Sequence, residues 1–417
     1  MPEVQHDAKE LASLTFADVI RATANNFPDP RYRLERVRPG SVGGRYAIKN
    51  LGEHGISGNC DGVGTKPELA ERLFEWTGDY ACFEQPAFDL VAMVADDAAR
   101  EGHFVAAIQN NLDLGHAEDS AFVTALAQGM RRACDAGRFA LLSGETAELG
   151  YRTPGYGRLN LNWNAAAIVL VNERKMFHPE ALRPGQPVVA LRECSVRSNG
   201  LTRARAILEQ AFLSHMHCQR KRDYVMRDVH ERIGGILTEQ EIGLVLDVQP
   251  GAEGLWQRIQ LPWHTIFPEI TQKLARPSTI YAPLTYEAQG GVDGDVCVPI
   301  VAAAHISGGG IPLKTERMLK LSGLGMHLDP VFPDPEGIPE LIELARKHPH
   351  PQKGILVDER SACEQWNRGI GFLCVVEHQQ RADELIALAE SLGYEAAVAG
   401  EIIPERKIEW RGHTWDY

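Results

Sequence analysis

The sequence lacks the features that mark membrane, secreted and disulfide-stabilised proteins. No apolar run approaches the length of a membrane span. The first residues, Met1-Pro2-Glu3, do not begin a charged-then-apolar pattern, so no signal peptide is predicted. The eight cysteines are far apart and form no Cys-x-x-Cys pair, which favours reduced thiols over a disulfide framework. We therefore predict a cytoplasmic protein that has no membrane partner.

Positive charge is also scarce. The chain has 43 Lys and Arg residues against 56 Asp and Glu residues, which gives a formal net charge of −13 at pH 7. This balance argues against a nucleic-acid partner, because such proteins neutralise the phosphate backbone with many basic side chains. It does not argue against a phosphorylated small molecule, which needs only a local cluster of Lys, Arg and amide groups.

Short internal repeats and low-complexity tracts are absent, and the rest of the sequence is typical of a globular protein. Its 417 residues exceed what one hydrophobic core usually supports, so two domains are expected. Strand-like and helix-like segments alternate, which predicts an α/β or α+β fold. A polar, proline-containing stretch after Val171 places the boundary between an N-terminal domain at 1–173 and a C-terminal domain at 174–417. The mixed composition at about 214–263 indicates an insertion in the second domain.

Local patterns locate individual elements. Apolar residues recur at helical spacing within 118–136, and a second helix follows Gly200. A third helix at 381–392 ends at Gly393. The predicted strands are 139–142, 165–171, 188–191, 371–376 and 395–401.

The motif Asp61-Gly62-Val63-Gly64-Thr65-Lys66 is the most informative stretch of the chain. Its glycines allow the backbone to approach phosphate oxygens closely, and its lysine supplies a mobile positive charge. The Asp and Thr oxygens suit a hard cation such as Mg²⁺. The spacing is not that of the common P-loop. A structural turn followed by a surface lysine remains the alternative interpretation.

Two acidic segments accompany this motif. The first is an apolar stretch from Asp89 to Asp96 and Asp97, where adjacent carboxylates at the end of a buried run need a metal ion or a basic partner such as Arg100. The second is Ser143-Gly144-Glu145-Thr146, placed just after the strand predicted at 139–142. An acid in that position lies where ligands gather in α/β folds, unless it belongs to a turn that faces water.

Two further segments combine glycine with polar side chains. Ser198-Asn199-Gly200 precedes a helix, where its amides can bind an anion, although helix capping alone would also explain it. His305-Ile306-Ser307-Gly308-Gly309-Gly310 places three glycines before a helix, which makes sense where backbone wraps around a phosphate. His305 either orients a substrate or caps a strand.

In this order, and together with Asn367-Arg368-Gly369-Ile370-Gly371-Phe372, these motifs resemble those of the aminoimidazole ribonucleotide synthetase family. The family, also called phosphoribosylformylglycinamidine cyclo-ligase, acts in purine biosynthesis. The resemblance runs from Ser57 to Ile403, and it extends to close paralogues in the same superfamily. Six motifs in the same order are far more specific than any one of them.

The resemblance implies two α/β domains, the first of which supplies a sheet that pairs across a homodimer. It also implies an enzyme that uses ATP and Mg²⁺ to cyclise formylglycinamidine ribonucleotide to aminoimidazole ribonucleotide, with ADP and phosphate as the other products. The implied catalytic residues are Lys66, Asp97 and His305, and the implied metal ligands are Asp61, Asp97 and Glu145. The implied ATP-binding residues are Asp61, Gly62, Gly64, Thr65, Lys66, Gly144, Glu145 and Thr146. The implied ribonucleotide-binding residues are Ser198, Asn199, Gly200, His305, Ser307, Gly308, Gly309 and Gly310.

The chain departs from the family pattern at several positions. Arg197 stands where the family usually has His, Asp96 where it commonly has Asn, Leu201 where it has an aromatic residue and Ser307 where it has Thr. The first forty residues match poorly, and the insertion is unfamiliar. Two other functions therefore stay open. One is a paralogue that activates a different amide or acid with ATP, and the other is a non-catalytic regulator that binds nucleotide.

Overall fold

The computed structural model describes residues 34–36, 46–51, 54–117, 119–153, 155–216, 261–348 and 357–417. Most of the predicted insertion and most of the first forty residues lie outside these ranges. Within them, no helix combines the length and the apolar character that a bilayer crossing requires.

The described strands form two sheets. The first has the order β1-β2-β3-β6-β4-β5, in which only β4 and β5 are parallel. Its strands are β1 (Leu34–Arg36), β2 (Tyr46–Leu51), β3 (His54–Gly62), β4 (Phe104–Leu114), β5 (Ala140–Glu148) and β6 (Leu161–Asn172). The second has the order β13-β12-β9-β11-β7-β10-β8. Its strands are β7 (Pro187–Arg192), β8 (Ile300–His305), β9 (Gly325–Leu328), β10 (Ile370–Val376), β11 (Ala396–Ile403), β12 (Lys407–Trp410) and β13 (His413–Asp416).

Ten α-helices lie in the described ranges. They are α1 (Pro67–Thr77), α2 (Gln85–Ala99), α3 (Ser120–Gly137), α4 (Leu201–Met216), α5 (Pro268–Ala275), α6 (Ala282–Ala288), α7 (Gly310–Leu319), α8 (Ile338–Lys347), α9 (Glu359–Gln365) and α10 (Gln379–Ser391). Helix α3 begins where the Asp119 side chain accepts a hydrogen bond from the Phe122 amide, an N-cap that satisfies a free backbone donor.

The first sheet is covered by helices on one face. Helix α2 packs against β3, β4 and β6. Strand β6 shows why, because Leu161, Trp163 and Ala165 alternate with Asn162 and Asn164, and only the first set is buried. Successive side chains of a strand point to opposite faces, so this pattern gives β6 one apolar and one polar face.

The second sheet is buried more completely. Every residue of β10 is buried, and its sequence is a continuous apolar run, as expected of a strand covered on both faces. Helix α10 packs against β7, β10 and β11, and α7 packs against β8, β9 and β12. Strand β8 ends at His305, and the turn that follows leads directly into α7.

The predicted mixture of helices and two sheets is confirmed, and one predicted boundary is wrong in an informative way. The strand expected at 139–142 continues to Glu148, so the Ser143–Thr146 motif lies inside an edge strand and not in a loop after it. Glycine has a low strand propensity, but pairing with β4 outweighs it here, since Gly144 pairs with Asn110 in the ladder.

The domain boundary at 173/174 stays a prediction. One cluster of buried apolar side chains runs from Val63 in the first half of the chain to Ala389 in the second. It includes Leu90 and Val94 of α2 together with Ile280 and Leu284 near α6. The two sheets therefore share a hydrophobic core, and α2 is the helix that joins them.

Replacing Leu90 with Ala tests the packing of α2. The Leu90 side chain is fully buried, so truncation leaves a cavity and the free energy of unfolding should fall by about 2–5 kcal/mol. Urea unfolding followed by tryptophan fluorescence measures the change. Leu321→Ala, at a side chain that is 39% exposed, is the matched control and should cost far less. Equal losses for the two variants would contradict this packing.

Candidate active site

Three glycine-containing turns from distant parts of the chain meet beside α2. A Cβ atom on Gly64, in the turn after β3, would lie 3.6 Å from the carbonyl oxygen of Ser198. A Cβ atom on Gly308, in the turn after β8, would lie 4.0 Å from the Cβ of Asn199. The fold therefore brings together the motifs that begin at Asp61, Ser198 and His305.

The third turn has a strict requirement for glycine. Gly310 has φ +63°, a conformation that residues with a side chain rarely adopt. A Cβ at this position would also lie 2.1 Å from the carbonyl oxygen of Cys363. The three consecutive glycines thus allow α7 to begin close against α9, directly beside the Ser198–Gly200 turn.

Lys66 is buried and holds these turns to the rest of the molecule. Its Nζ donates hydrogen bonds to Asp89 Oδ1 at 2.6 Å, to the Val196 carbonyl at 2.7 Å and to the Arg276 carbonyl at 2.6 Å. Burial lowers the pKa of Lys66, and the Asp89 carboxylate opposes that shift. Three acceptors match the three N–H bonds of the ammonium group. In this arrangement Lys66 has no N–H bond left for a phosphate, so its role in ATP binding stays a prediction.

Arg197 forms a second buried ion cluster next to the first. Its Nη2 donates to Asp96 Oδ2 at 2.8 Å and its Nη1 to Glu193 Oε2 at 2.9 Å, and all three side chains are almost completely buried. Burial raises the pKa of Asp96 to about 6, although Arg197 and the backbone amides of Tyr281 and Ala282 oppose the shift. The two departures from the family pattern at 96 and 197 therefore compensate each other directly.

Asp97 and His305 meet across the two halves of the chain. Asp97 Oδ1 lies 2.8 Å from His305 Nδ1 and 3.4 Å from Arg100 Nε. Burial acts to raise the pKa of Asp97, but the charge of Arg100 and the hydrogen bond from His305 hold it well below its ordinary value. Burial, together with the positive charge of Arg197, lowers the pKa of His305 to about 3. The neutral ring thus donates from Nδ1 and leaves Nε2 as an acceptor.

Several buried polar atoms at this junction have no hydrogen-bond partner within the described ranges. They are His305 Nε2, Ser198 Oγ and Asn199 Oδ1. An unsatisfied buried polar group costs roughly 1–3 kcal/mol, and a polar ligand that bonded to these atoms would recover that cost. The Asn199 amide group already donates to the Gln365 carbonyl at 3.0 Å, which fixes its orientation. The junction is therefore prepared for a polar ligand.

Glu145 lies away from the other two predicted metal ligands. Asp61 pairs with Ala165, on the face that α2 covers, whereas Glu145 pairs with Asn111, whose partner Asn164 lies on the opposite face. Strands β3 and β5 are three strand spacings apart, or about 14 Å at roughly 4.8 Å per spacing. The predicted site of three carboxylates thus does not form within one chain. Among the described residues, no group of three or more His, Cys, Asp and Glu side chains is placed to hold a metal ion.

The other predicted nucleotide-binding positions are split between two places. Gly64 and Thr65 are exposed in the turn after β3, where the Gly62 amide donates to Asp61 Oδ1 at 2.8 Å. Gly144 and Thr146 are exposed in the edge strand β5. Of the predicted ribonucleotide-binding residues, Gly200, Ser307 and Gly309 lie in the same two turns as the orphaned polar atoms.

One charged residue in this region escaped the sequence analysis. Lys314 lies four residues after Gly310 in α7, half-buried, where its ammonium group interacts with the carboxylates of Asp97 and Asp61. Burial lowers the pKa of Lys314 to about 8. Its position one helical turn after a glycine-rich loop was the only available signal in the sequence.

A double-mutant cycle on Arg197 and Asp96 tests the compensation between them. Arg197→His alone and Asp96→Asn alone should each lower the free energy of unfolding by about 3–5 kcal/mol, because each leaves a buried charge without its partner. The double variant should lose clearly less than the sum of the two, as measured by urea unfolding. Strictly additive losses would mean that the two side chains stabilise the fold independently.

Comparison with known proteins agrees with the motifs. Residues 279–412 match the family described as AIR synthase related protein, C-terminal domain. The chain is similar to the phosphoribosylformylglycinamidine cyclo-ligase of Prochlorococcus marinus (strain MIT 9211), with 24% identity over 401 residues that cover 94% of this chain and 92% of the relative. The protein of the same name from Methanothermobacter thermautotrophicus is 26% identical over 356 residues, 85% of this chain and 82% of its own.

A solved structure is also similar over most of the chain. The thiamine-monophosphate kinase from Stenotrophomonas maltophilia K279a aligns with 95% of this chain and 95% of its own, at 17% identity and a TM-score of 0.45. The resemblance inferred from the motifs is confirmed by the domain match and the curated relatives.

Proposed function

We propose that this protein is an ATP-dependent cyclo-ligase that converts formylglycinamidine ribonucleotide to aminoimidazole ribonucleotide, with release of ADP and phosphate. The observation that carries the proposal is the junction of three turns at which His305, Ser198 and Asn199 present buried polar atoms without protein partners. Relatives of that name match most of the chain.

The turn after β3 fits the phosphates of ATP. Gly64 has φ +66° and is exposed with Thr65, so backbone amides there can approach phosphate oxygens without a side chain in between. The turn leads into the N-terminus of α1, where the helix dipole favours an anion. A magnesium ion usually takes one or two carboxylates plus phosphate oxygens, and the partly exposed Asp61 is suited to that role.

The junction of the Ser198 and His305 turns fits the ribonucleotide. Ser198 Oγ can donate to or accept from a ribose or phosphate oxygen, and the Gly308–Gly310 backbone can lie against the 5′-phosphate. His305 Nε2 is an acceptor in the neutral ring, and Asp97 fixes the orientation of that ring through Nδ1. The pair therefore supplies a fixed acceptor for an N–H group of the substrate.

The reaction needs little covalent chemistry from the protein. Bound ATP supplies the phosphoryl group that activates the formyl oxygen, after which a nitrogen of the same substrate attacks the formyl carbon and the oxygen leaves with phosphate. Holding the two nucleotides in line and neutralising their charge account for most catalysis of this type. His305 Nε2 would accept a hydrogen bond from the attacking nitrogen and so orient it, and the proton that this nitrogen gives up would leave with the released phosphate.

The same fold also fits a paralogue with another substrate. Arg197 directs both terminal nitrogens of its guanidinium toward Asp96 and Glu193 and is fully buried, so its charge is not presented to a ligand. The side chain at 197, where the family usually has a histidine, is thus directed into the protein in this chain. That difference favours a paralogue that activates a different amide or acid as the second candidate.

Incubation of the purified chain with formylglycinamidine ribonucleotide, ATP and Mg²⁺ tests the proposal. We expect the aminoimidazole product by mass spectrometry and one ADP for each product formed. His305→Asn, which keeps a polar side chain but removes the Nε2 acceptor, should lower kcat by about tenfold, because one orienting hydrogen bond is lost. ATP turnover that does not depend on this substrate would reject the cyclo-ligase and leave the paralogue.

We further propose that the chain forms a homodimer through the open face of the first sheet, in a reducing cytoplasm. Ile56 of β3 is 37% exposed and pairs with the half-buried Leu170 of β6 on that face, next to the half-buried Ile168. Glu145 lies on the same face of the sheet, so a second copy would bring other groups to it. The cysteines within the described ranges are all free thiols.

Charging this face should separate the proposed dimer. Ile168→Asp places a carboxylate among the apolar side chains of the contact, where burying it without a partner is strongly unfavourable. Size-exclusion chromatography with light scattering should show a dimer for the unmodified chain and a monomer for the variant. Tyr151→Asp, at a side chain that is 96% exposed, is the control and should leave the mass unchanged. A monomeric unmodified chain would exclude the dimer.

A further inference from the structure

Phosphoryl transfer between two nucleotides needs a cation at the phosphates, and the lysine of the first motif does not provide it. Lys66 is 2% exposed, and its three N–H bonds all go to protein acceptors. Releasing it would leave the Asp89 carboxylate as a buried charge without its partner, at a cost of several kcal/mol. If the proposed function is right, any lysine that assists Mg²⁺ at the phosphates must therefore be another one.

Lys314 is the lysine placed to provide a positive charge at the phosphates. It lies in α7, one turn after the Gly308–Gly310 loop, and α7 packs against β8, which ends at His305. Its side chain is half-buried, yet within the described ranges its ammonium group makes no hydrogen bond and no ion pair shorter than 4.0 Å. Its three N–H bonds are therefore open to a ligand, unlike those of Lys66.

The charges around Lys314 connect it with both halves of the junction. Its ammonium group is attracted by Asp97 at the end of α2 and by Asp61 at the end of β3, and it is repelled by Arg100 and Arg317. Its charge is thus felt both by Asp61, which begins the first motif, and by Asp97, the partner of His305. A lysine side chain is a mobile point charge and suits a phosphate that moves between two partners.

We propose that Lys314, and not Lys66, is the lysine that binds a phosphate group in this site, and that Lys66 instead fixes the positions of the turns. The proposal rests on the proposed nucleotide-dependent function. The phosphate belongs either to the triphosphate or to the 5′-phosphate of the ribonucleotide, since Lys314 interacts with Asp61 of the first motif and lies one turn after the Gly308–Gly310 loop. Burial lowers the pKa of Lys314 only to about 8, so the amine still carries its proton in most molecules at pH 7.

Binding measurements on three lysine variants test this assignment. Lys314→Met keeps the length and the apolar stem of the side chain but removes the charge, and Lys320→Met, at an exposed position at the end of α7, is the matched control. Isothermal titration calorimetry with AMPPCP and Mg²⁺ measures the affinity for the triphosphate. The same titration with a ribonucleoside 5′-monophosphate measures the affinity for the 5′-phosphate. We expect Lys314→Met to weaken one of the two by about tenfold or more, with no change in Tm.

The opposite pattern is expected for Lys66. Lys66→Met should lower Tm markedly, because Asp89 loses its ion pair, whereas Lys320→Met should change neither binding nor Tm. If the unmodified chain binds a probe and Lys314→Met binds it equally well, the assignment of Lys314 is wrong and the proposed function survives. If the unmodified chain binds neither probe, the nucleotide-dependent function fails and the assignment fails with it.

Discussion

Two buried ion clusters on α2 fix the relation between the halves of this molecule. Asp89 and Asp96 lie on the same helix, and each is paired with a basic side chain from elsewhere in the chain. Lys66 connects Asp89 to the Val196 carbonyl, and Arg197 connects Asp96 to Glu193. A buried charge without its partner costs several kcal/mol, so these contacts permit one placement of the second half and penalise others.

The site follows from that placement. Val196 and Arg197 come directly before Ser198, so the two clusters position the Ser198–Gly200 turn against the turn after β3. The same helix presents Asp97, which meets His305 from the second sheet. The hydrophobic core shared by α2, α6 and the two sheets accounts for most of the buried surface, while the ion pairs determine how the two halves are aligned. Residues that look catalytic in the sequence thus include some whose contacts are structural.

The motifs anticipated the junction better than they anticipated the role of each residue. Convergence of the segments at Asp61, Ser198 and His305 followed from their order and their resemblance to one family. The roles of Lys66 and Glu145 depended on burial and on strand order, which sequence spacing does not report. Lys66 points inward because its ammonium group pairs with the buried Asp89. Glu145 lies on the face of the first sheet opposite Asp61, because side chains alternate between faces along a strand and the pairing of β5 with β4 fixes which face each residue takes.

By itself, the sequence determined the alternation of helices and strands, the glycines at positions where a Cβ would collide, and the similarity of residues 279–412 to one domain family. These depend on local periodicity and on residue types at short range. Only the tertiary structure decided which lysine has its N–H bonds occupied, which carboxylates lie together and that Arg197 and Asp96 form an ion pair. The physical reason is that the energy of a charged side chain depends on its burial and its nearest partners, and both are set by segments that can lie more than two hundred residues away along the chain.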